Sequence, residues 1–365
     1  MSGKEIELGV FLPIGNGGWI MSRNTPLHFE QIYDYNRTAA QIADRVGMDF
    51  VMSMAKWRGY ESETDHWSRT LESMTMMCGL AEATEHVGVW ATMHTTAHHP
   101  LVVAKQLSTL DQISHGRAGM NIVVGGRKLE LEQLGLWGPQ HLEHDDRYRF
   151  TKEWLDVIEG VWASDSFDYE GEFFSLEDVR LKPAPFTRPR LICAGNSDVG
   201  LDFTTSRADG AFVSGSELPV LGEQVAKVHR LGEEKGRDVK AYMMLTLVIE
   251  ETDAAAERRV AHIQEGADLQ GVQSIAAAYR QRPSREDTLR TADVLERRQG
   301  FNTEMIAGGP ETVREKLEEL LTSTGLDGIM FTFADYHNGL ELFGAEVLPQ
   351  LRSGAFIAPQ PVGAA

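Results

Sequence analysis

Lys56 stands in an otherwise apolar run, Met52-Ser53-Met54-Ala55-Lys56-Trp57-Arg58-Gly59. A lysine is almost never buried without a partner, so it calls for one. Glu130 would make it a structural ion pair. Thr92 and Asn121 fall at or near strand ends, where their side chains donate hydrogen bonds to a ligand or to backbone. His94, His98 and His99 could line a substrate pocket, act as acid and base, or bind a metal. No H-E-x-x-H or C-x-x-C accompanies them, so no metal is expected, and His94 and His98 are read as pocket residues. Gly195-Asn196-Ser197-Asp198 lies between a strand and a helix. Exposed N–H groups and the helix dipole at such a junction favour a phosphate, whereas the plainer reading leaves Ser197 as a helix N-cap. Arg147 and Tyr148, in His144-Asp145-Asp146-Arg147-Tyr148-Arg149, could bond to that phosphate or form part of a solvated face. No G-x-S-x-G nucleophile elbow is present. Asp65 with Glu72, or Asp145 with Asp146, could be a glycosidase pair, but nothing fixes their separation.

These residues need elements to hold them. Apolar runs predict strands over 6–13, 49–55, 87–94 and 118–125, each but the last followed by a helical pattern: 29–46, 71–84 and 100–114. Pro100 suits a first helical turn. Residues 147–162 form a further helix, and 167–181, with the turn Glu170-Gly171, reads as a hairpin insertion. Strands resume over 190–195, 210–215, 239–250 and 328–333, with a closing helix over 340–351. Eight strands alternating with helices predict an α/β fold, a (β/α)8 TIM barrel whose strand ends surround one mouth. The open doubly wound alternative would carry G-x-G-x-x-G after its first strand. That place holds Gly15-Asn16-Gly17-Gly18-Trp19, with the wrong spacing.

The organisation expected is one barrel domain over 1–352, with the hairpin near 165–183 and a helical insertion near 252–307. The insertion is polar, Arg-rich and broken at Arg282-Pro283-Ser284; it reads as a lid or as a surface excursion. A small-residue tail over 353–365 is expected to be mobile. The formal charge of -19 disfavours nucleic acid and anionic membranes as partners. Two cysteines, Cys78 and Cys193, sit in apolar segments, so neither a disulfide framework nor a cysteine metal site is expected. The start, Met1-Ser2-Gly3-Lys4-Glu5, lacks the pattern of a secretory signal, and no run is long enough for a membrane span. A cytoplasmic protein is expected.

Taken together, these segments resemble the bacterial-luciferase-like flavin-dependent monooxygenases, and within them the pyrimidine oxygenases. The likeness runs through Gly9-Val10-Phe11-Leu12-Pro13-Ile14-Gly15-Asn16-Gly17-Gly18-Trp19, the Met52–Gly59 run, Thr109-Leu110-Asp111-Gln112-Ile113-Ser114, the strand carrying Asn121, Ile192–Asp198, and 331–344. It implies FMN in its reduced form as co-substrate, delivered by a separate NAD(P)H-dependent flavin reductase, with molecular oxygen, a small-molecule substrate and a homo-oligomer. Carried over, Ala55, Lys56, Asn121 and Glu130 contact the flavin, and Arg147, Tyr148, Gly195 and Ser197 hold its phosphate end. Thr92 and Asn121 are the catalytic pair framing oxygen beside flavin N5, where the resemblance implies a flavin N5-peroxide. Met52, Met54, Trp57, His94 and His98 line the substrate pocket.

The chain departs from that pattern in three places. Trp57 replaces a smaller aliphatic residue, His94 and His98-His99 replace an apolar, Thr-rich loop, and 267–303 matches poorly. An aromatic wall with imidazole donors suits a flat N-heterocycle, pyrimidine- or pyridine-like. The expected activity is oxygenation and opening of such a ring. The run 142–148 looks equally like that of sulfone and sulfonate oxygenases. A deazaflavin-dependent dehydrogenase or a non-catalytic flavin binder on the same barrel are the further alternatives.

Overall fold

The computed structural model describes residues 6–25, 27, 29–138, 142–215, 217–280 and 299–353. The strands are β1 (Glu7–Phe11), β2 (Phe50–Met52), β3 (Gly88–His94), β4 (Ala118–Val123), the hairpin β5 (Phe167–Glu170) and β6 (Ser175–Val179), β7 (Arg190–Cys193), β8 (Gly210–Val213), β9 (Lys240–Ile249), β10 (Glu304–Gly308) and β11 (Gly328–Phe333). The sheet runs β11-β1-β2-β3-β4-β7-β8-β9, and β9 pairs back onto β11. That closes eight parallel strands into a barrel. Because both faces of each strand are covered, by helices outside and core inside, these strands are apolar almost throughout.

The helices between them are α1 (Ile32–Val46), α2 (Ser73–Glu82), α3 (Pro100–Ser114), α4 (Lys128–Gln133), α5 (His144–Ala163), α6 (Asp198–Arg207) and α7 (Leu218–Glu233). After β9 come α8 (Asp253–Glu265) and α9 (Leu269–Arg280). The barrel interior is filled by large rings. Phe50 stacks on Trp90 with centroids 3.8 Å apart, and Tyr242 meets Phe50 edge-on at 6.0 Å. Gly119 makes room for this layer: a Cβ there would lie 2.2 Å from the Trp90 ring. At the N-terminal end, Glu7 accepts from Tyr242 Oη at 2.5 Å and Arg190 Nη2 at 3.1 Å, and pairs with Lys240. One carboxylate thereby ties β1, β7 and β9 together.

Several expectations change. The first helix starts at Ile32, behind a 3₁₀ turn over Phe29–Gln31. The last helical stretch starts earlier, at Tyr336, and carries a π turn over Phe343–Val347. The segment near 252–307 is not helical throughout: it ends in β10, which pairs with the overhang of β9, Leu245 to Ile249. β8 uses only the other half of the same edge, so there is space for this ninth strand. The described part of the insertion docks on the loops after β1 and β2. Asp268 accepts from Thr64 N at 2.8 Å and Thr64 Oγ1 at 2.7 Å, and Ser22 donates to the Ile263 carbonyl at 2.7 Å. The break at Arg282-Pro283-Ser284 and the tail after 353 lie outside the described residues.

Candidate active site

Parallel register sets Thr92 of β3 directly beside Asn121 of β4. Asn121 Nδ2 donates to Thr92 Oγ1 at 3.1 Å, and Thr92 Oγ1 donates onward to the Ser53 carbonyl at 2.5 Å. Ser73, the first residue of α2, accepts from the Thr92 amide at 2.8 Å and shares a 2.7 Å bond with the Ser53 hydroxyl. The sequence left open whether these side chains donate to a ligand or to backbone; in the fold the Thr92 hydroxyl proton goes to backbone, at the Ser53 carbonyl. The open atom is an acceptor: Asn121 Oδ1 is buried and has no partner among the described residues. A buried carbonyl oxygen left unpaired costs about 1–3 kcal/mol, so it marks a place suited to a ligand N–H.

Lys56 follows β2, and its ammonium lies 3.1 Å from Glu130 Oε1, with only 10% and 4% of the two side chains exposed. Glu130 also accepts from Arg127 Nε at 3.2 Å and from the Trp57 amide at 3.2 Å. Burial alone would raise the Glu130 carboxyl, yet Lys56 and Arg127 hold it below the usual range. It is therefore a carboxylate near neutral pH, and the expected Lys56–Glu130 pair is present. Lys56 Nζ also lies 5.0 Å from the centre of the Tyr60 ring. Met52 and Met54, which precede Lys56 in the chain, are buried.

Trp57 opens onto the histidines. Its Nε1 donates to His94 Nδ1 at 3.0 Å, its ring centre is 5.8 Å from that of His98, and His98 Nδ1 bonds the His94 carbonyl at 2.9 Å. His99 instead caps α3, accepting from the Leu101 amide.

The junction after β7 gathers a second group. Ser197 is the N-cap of α6, its Oγ accepting from Gly200 N at 3.1 Å. Tyr148 is bonded to Ser197, and burial pushes its hydroxyl up to about 12. A Cβ on Gly195 would sit 2.5 Å from Tyr148 Oη, so only glycine leaves this cradle open. Arg147 Nη1 donates to the Leu142 carbonyl at 2.9 Å, and its Nε would lie 3.6 Å from a Cβ at Gly125, beyond the end of β4. The N-cap reading of Ser197 is thus present in the fold, at the helix terminus where the phosphate was expected. Burial beside Ser197 and Gly195 takes Tyr148 away from the solvated-face reading of its run.

The suggested carboxylate pairs are otherwise employed. Glu72 caps α2 through the Met74 and Thr75 amides, and Asp146 pairs with Arg149 at the surface. Sequence reasoning missed Ser53, Ser73 and Arg127. A serine at the first position of a helix has no distinctive signal, but Arg127 lies three residues before Glu130, a spacing that invites an ion pair on a helical turn.

A closed (β/α)8 barrel with ionic and amide groups gathered at its C-terminal strand ends is an enzyme architecture. The luciferase-like monooxygenase family matches residues 6–328, and the chain belongs to that family. It is 34% identical to pyrimidine monooxygenase RutA of Serratia proteamaculans (strain 568), over 97% of this chain and 98% of that one. It is 36% identical to pyrimidine monooxygenase RutA of Methylorubrum extorquens (strain PA1), over 95% and 94% respectively. Among solved structures, riboflavin lyase RcaE with modified FMN and riboflavin superposes with a TM-score of 0.85 at 22% identity, covering 97% of this chain and 93% of that one. The chain is thus a monooxygenase by family, on the luciferase-like barrel. No helix among the described residues is long and apolar enough to cross a membrane.

Proposed function

We propose that this chain is the oxygenase component of a two-component FMN-dependent monooxygenase that oxygenates and opens a small N-heterocycle. Reduced FMN comes from a separate NAD(P)H-dependent reductase, and molecular oxygen is the co-substrate. The observation that carries the reading is the unpaired, buried Asn121 Oδ1, fixed by Thr92 at the barrel mouth. A reduced isoalloxazine ring carries an N–H that such an acceptor can take. The Gly195 cradle and the α6 N-terminus fit the phosphate end of the same molecule. The residues present therefore fit FMN. The relatives named as pyrimidine monooxygenases support the substrate class.

In this reading Gly195, Ser197, Tyr148 and Arg147 hold the phosphate, and Ala55, Lys56, Glu130 and Asn121 hold the ring and ribityl chain. Bound reduced FMN would supply the electrons that activate oxygen. Thr92 fixes the Asn121 amide, so its orientation is set before any ligand enters. Met52 and Met54 keep water from the pocket, and Trp57, His94 and His98 face the substrate. The reading has the enzyme working in the cytoplasm.

The test is an anaerobic titration with reduced FMN, followed by oxygen and a panel of pyridine, pyrimidines and dimethylsulfone, with products identified by mass spectrometry. Ring-opened, oxygen-bearing product from an N-heterocycle is expected. Product from the sulfone alone, or from none of the panel, overturns the reading.

A further inference from the structure

A neutral imidazole has one N–H and one bare nitrogen, and its hydrogen-bond partners decide which is which. An indole N–H can only donate. Since Trp57 Nε1 donates to His94 Nδ1, that nitrogen is the bare one. Burial, only partly offset by Glu130, pulls His94 down to about 4, so the ring is neutral near pH 7. Its single proton is therefore on Nε2, which makes no hydrogen bond to any described residue. Alternation along a strand puts His94, two residues after Thr92, on the face of β3 that carries Thr92 toward Asn121.

Trp57 is itself held at three points. Its amide donates to Glu130, its carbonyl accepts from Gln133 Nε2 at 2.7 Å, and its indole reaches His94. His98 has the opposite assignment: its Nδ1 faces a carbonyl, which only accepts, so there Nδ1 carries the proton. The two imidazoles beside the indole thus differ at Nδ1, and His94 is the one whose bare Nδ1 puts its proton on Nε2.

We propose that Trp57 is a positioning residue that locks His94 as a one-donor reader of the substrate, so that the pocket selects a flat ring bearing a lone-pair nitrogen over a flat ring without such an acceptor. This rests on the oxygenase reading above and narrows its substrate to the pyridine type of acceptor. A ring whose only nitrogen is an N–H, as in pyrrole, meets a donor with a donor and leaves both unpaired. Discrimination built on a buried hydrogen bond is stronger than discrimination by shape alone.

Two measurements test this. Long-range ¹H–¹⁵N correlation spectra of the full chain labelled at histidine nitrogens, with His94 assigned through His94→Gln, read the tautomer without any turnover. The expected result is a protonated Nε2 and a bare Nδ1, with the Nε2 signal moving on addition of pyridine and not of pyrrole, the FMN-loaded protein being used for both. Trp57→Phe should release a mixed population of tautomers. In steady state with reduced FMN, Trp57→Phe and His94→Leu should raise KM for pyridine about 5- to 10-fold with little change in kcat, the size of one neutral hydrogen bond. His94→Gln, which keeps an N–H donor, should restore most of that loss. An Nδ1–H tautomer, an imidazolium at pH 7, or equal responses to pyridine and pyrrole overturn the proposal. If the tautomer is as stated but the wild type forms no oxygenated product from any ring, the oxygenase reading fails and the tautomer assignment stands.

Discussion

Asn121 and Thr92 face each other in register across β4 and β3, and the amide of the first donates to the hydroxyl of the second at 3.1 Å while its own oxygen stays unpaired. The hydroxyl serves as an anchor for the amide. Thr92→Val keeps the shape and removes the anchor. Reduced FMN should bind up to about 10-fold more weakly, the size of one lost hydrogen bond, product formation should fall, and hydrogen peroxide released without product should rise. Parallel product and peroxide assays decide it; coupled turnover at the wild-type rate would take the hydroxyl out of the mechanism.

The unpaired oxygen also predicts a redox preference. An acceptor gains more from a ring that carries an extra N–H, so reduced FMN should bind more tightly than oxidised FMN. Asn121→Ala should shrink the difference. Fluorescence titration of each form, the reduced one under nitrogen, measures both; equal affinities in the wild type would contradict this account.

At the other end of the site, Ser197→Ala with Arg147→Ala should weaken FMN by roughly 1–3 kcal/mol if both side chains contact phosphate. Riboflavin, which has no phosphate, should hardly notice. Ser197 also caps α6, so thermal unfolding must be followed alongside, with a cap loss of about 1 kcal/mol expected. A matching fall in riboflavin affinity would mean that the pair only shapes the fold.

Glu130→Gln would leave Lys56 and Arg127 facing each other with no negative charge between them. Breaking a buried pair from one side costs about 3–5 kcal/mol, and removing both charges costs less. Urea unfolding should therefore find Glu130→Gln less stable than Lys56→Met combined with Glu130→Gln. The reverse order would show that Lys56 is stabilised chiefly by the Tyr60 and Trp67 rings.

His94 and Glu130 also set an acid limit. His94 titrates lower folded than unfolded, so the unfolded chain takes up its proton first and stability falls as pH drops from about 6.5 to about 4. At about 1.4 kcal/mol per pH unit this is roughly 3 kcal/mol. His66, pulled down to about 3 by burial, acts in the same direction. Glu130 is held low, so its contribution is present above the ordinary carboxylate range and lost as pH falls through its folded value. Unfolding free energies measured from pH 7 to 4 should show His94→Gln with a shallower slope than the wild type. Identical slopes would mean that folding leaves the proton affinity of His94 unchanged.

The barrel was legible because parallel strands buried on both faces leave mainly apolar runs, such as Val89 to Met93 and Ile329 to Phe333, each broken by a single threonine. β10 was not, because Glu304–Gly308 is short, half-buried and paired with only one half of β9. Lys56 announced its carboxylate because a lysine in an apolar run demands one. The Trp57–His94 bond left no local trace, since 37 residues separate its partners and each alone resembles an ordinary pocket residue. Nor was the direction of the Thr92 hydroxyl readable, because it depends on where the Ser53 carbonyl falls once β2 and β3 are paired.

Glu130 has an evolutionary consequence. It grips Lys56, Arg127 and the Trp57 backbone, while the indole N–H goes to His94 instead. The ring is a replaceable fitting on a fixed mount. Descendants could exchange the side chain at position 57 and acquire new substrates while the loop keeps its course, because the mount is indifferent to what it carries. Positions 56 and 130 have no such freedom. Loss of Glu130 strands two cations and loss of Lys56 leaves the carboxylate with Arg127 alone, so diversification of this barrel should run through the wall of the mouth while its frame stands still.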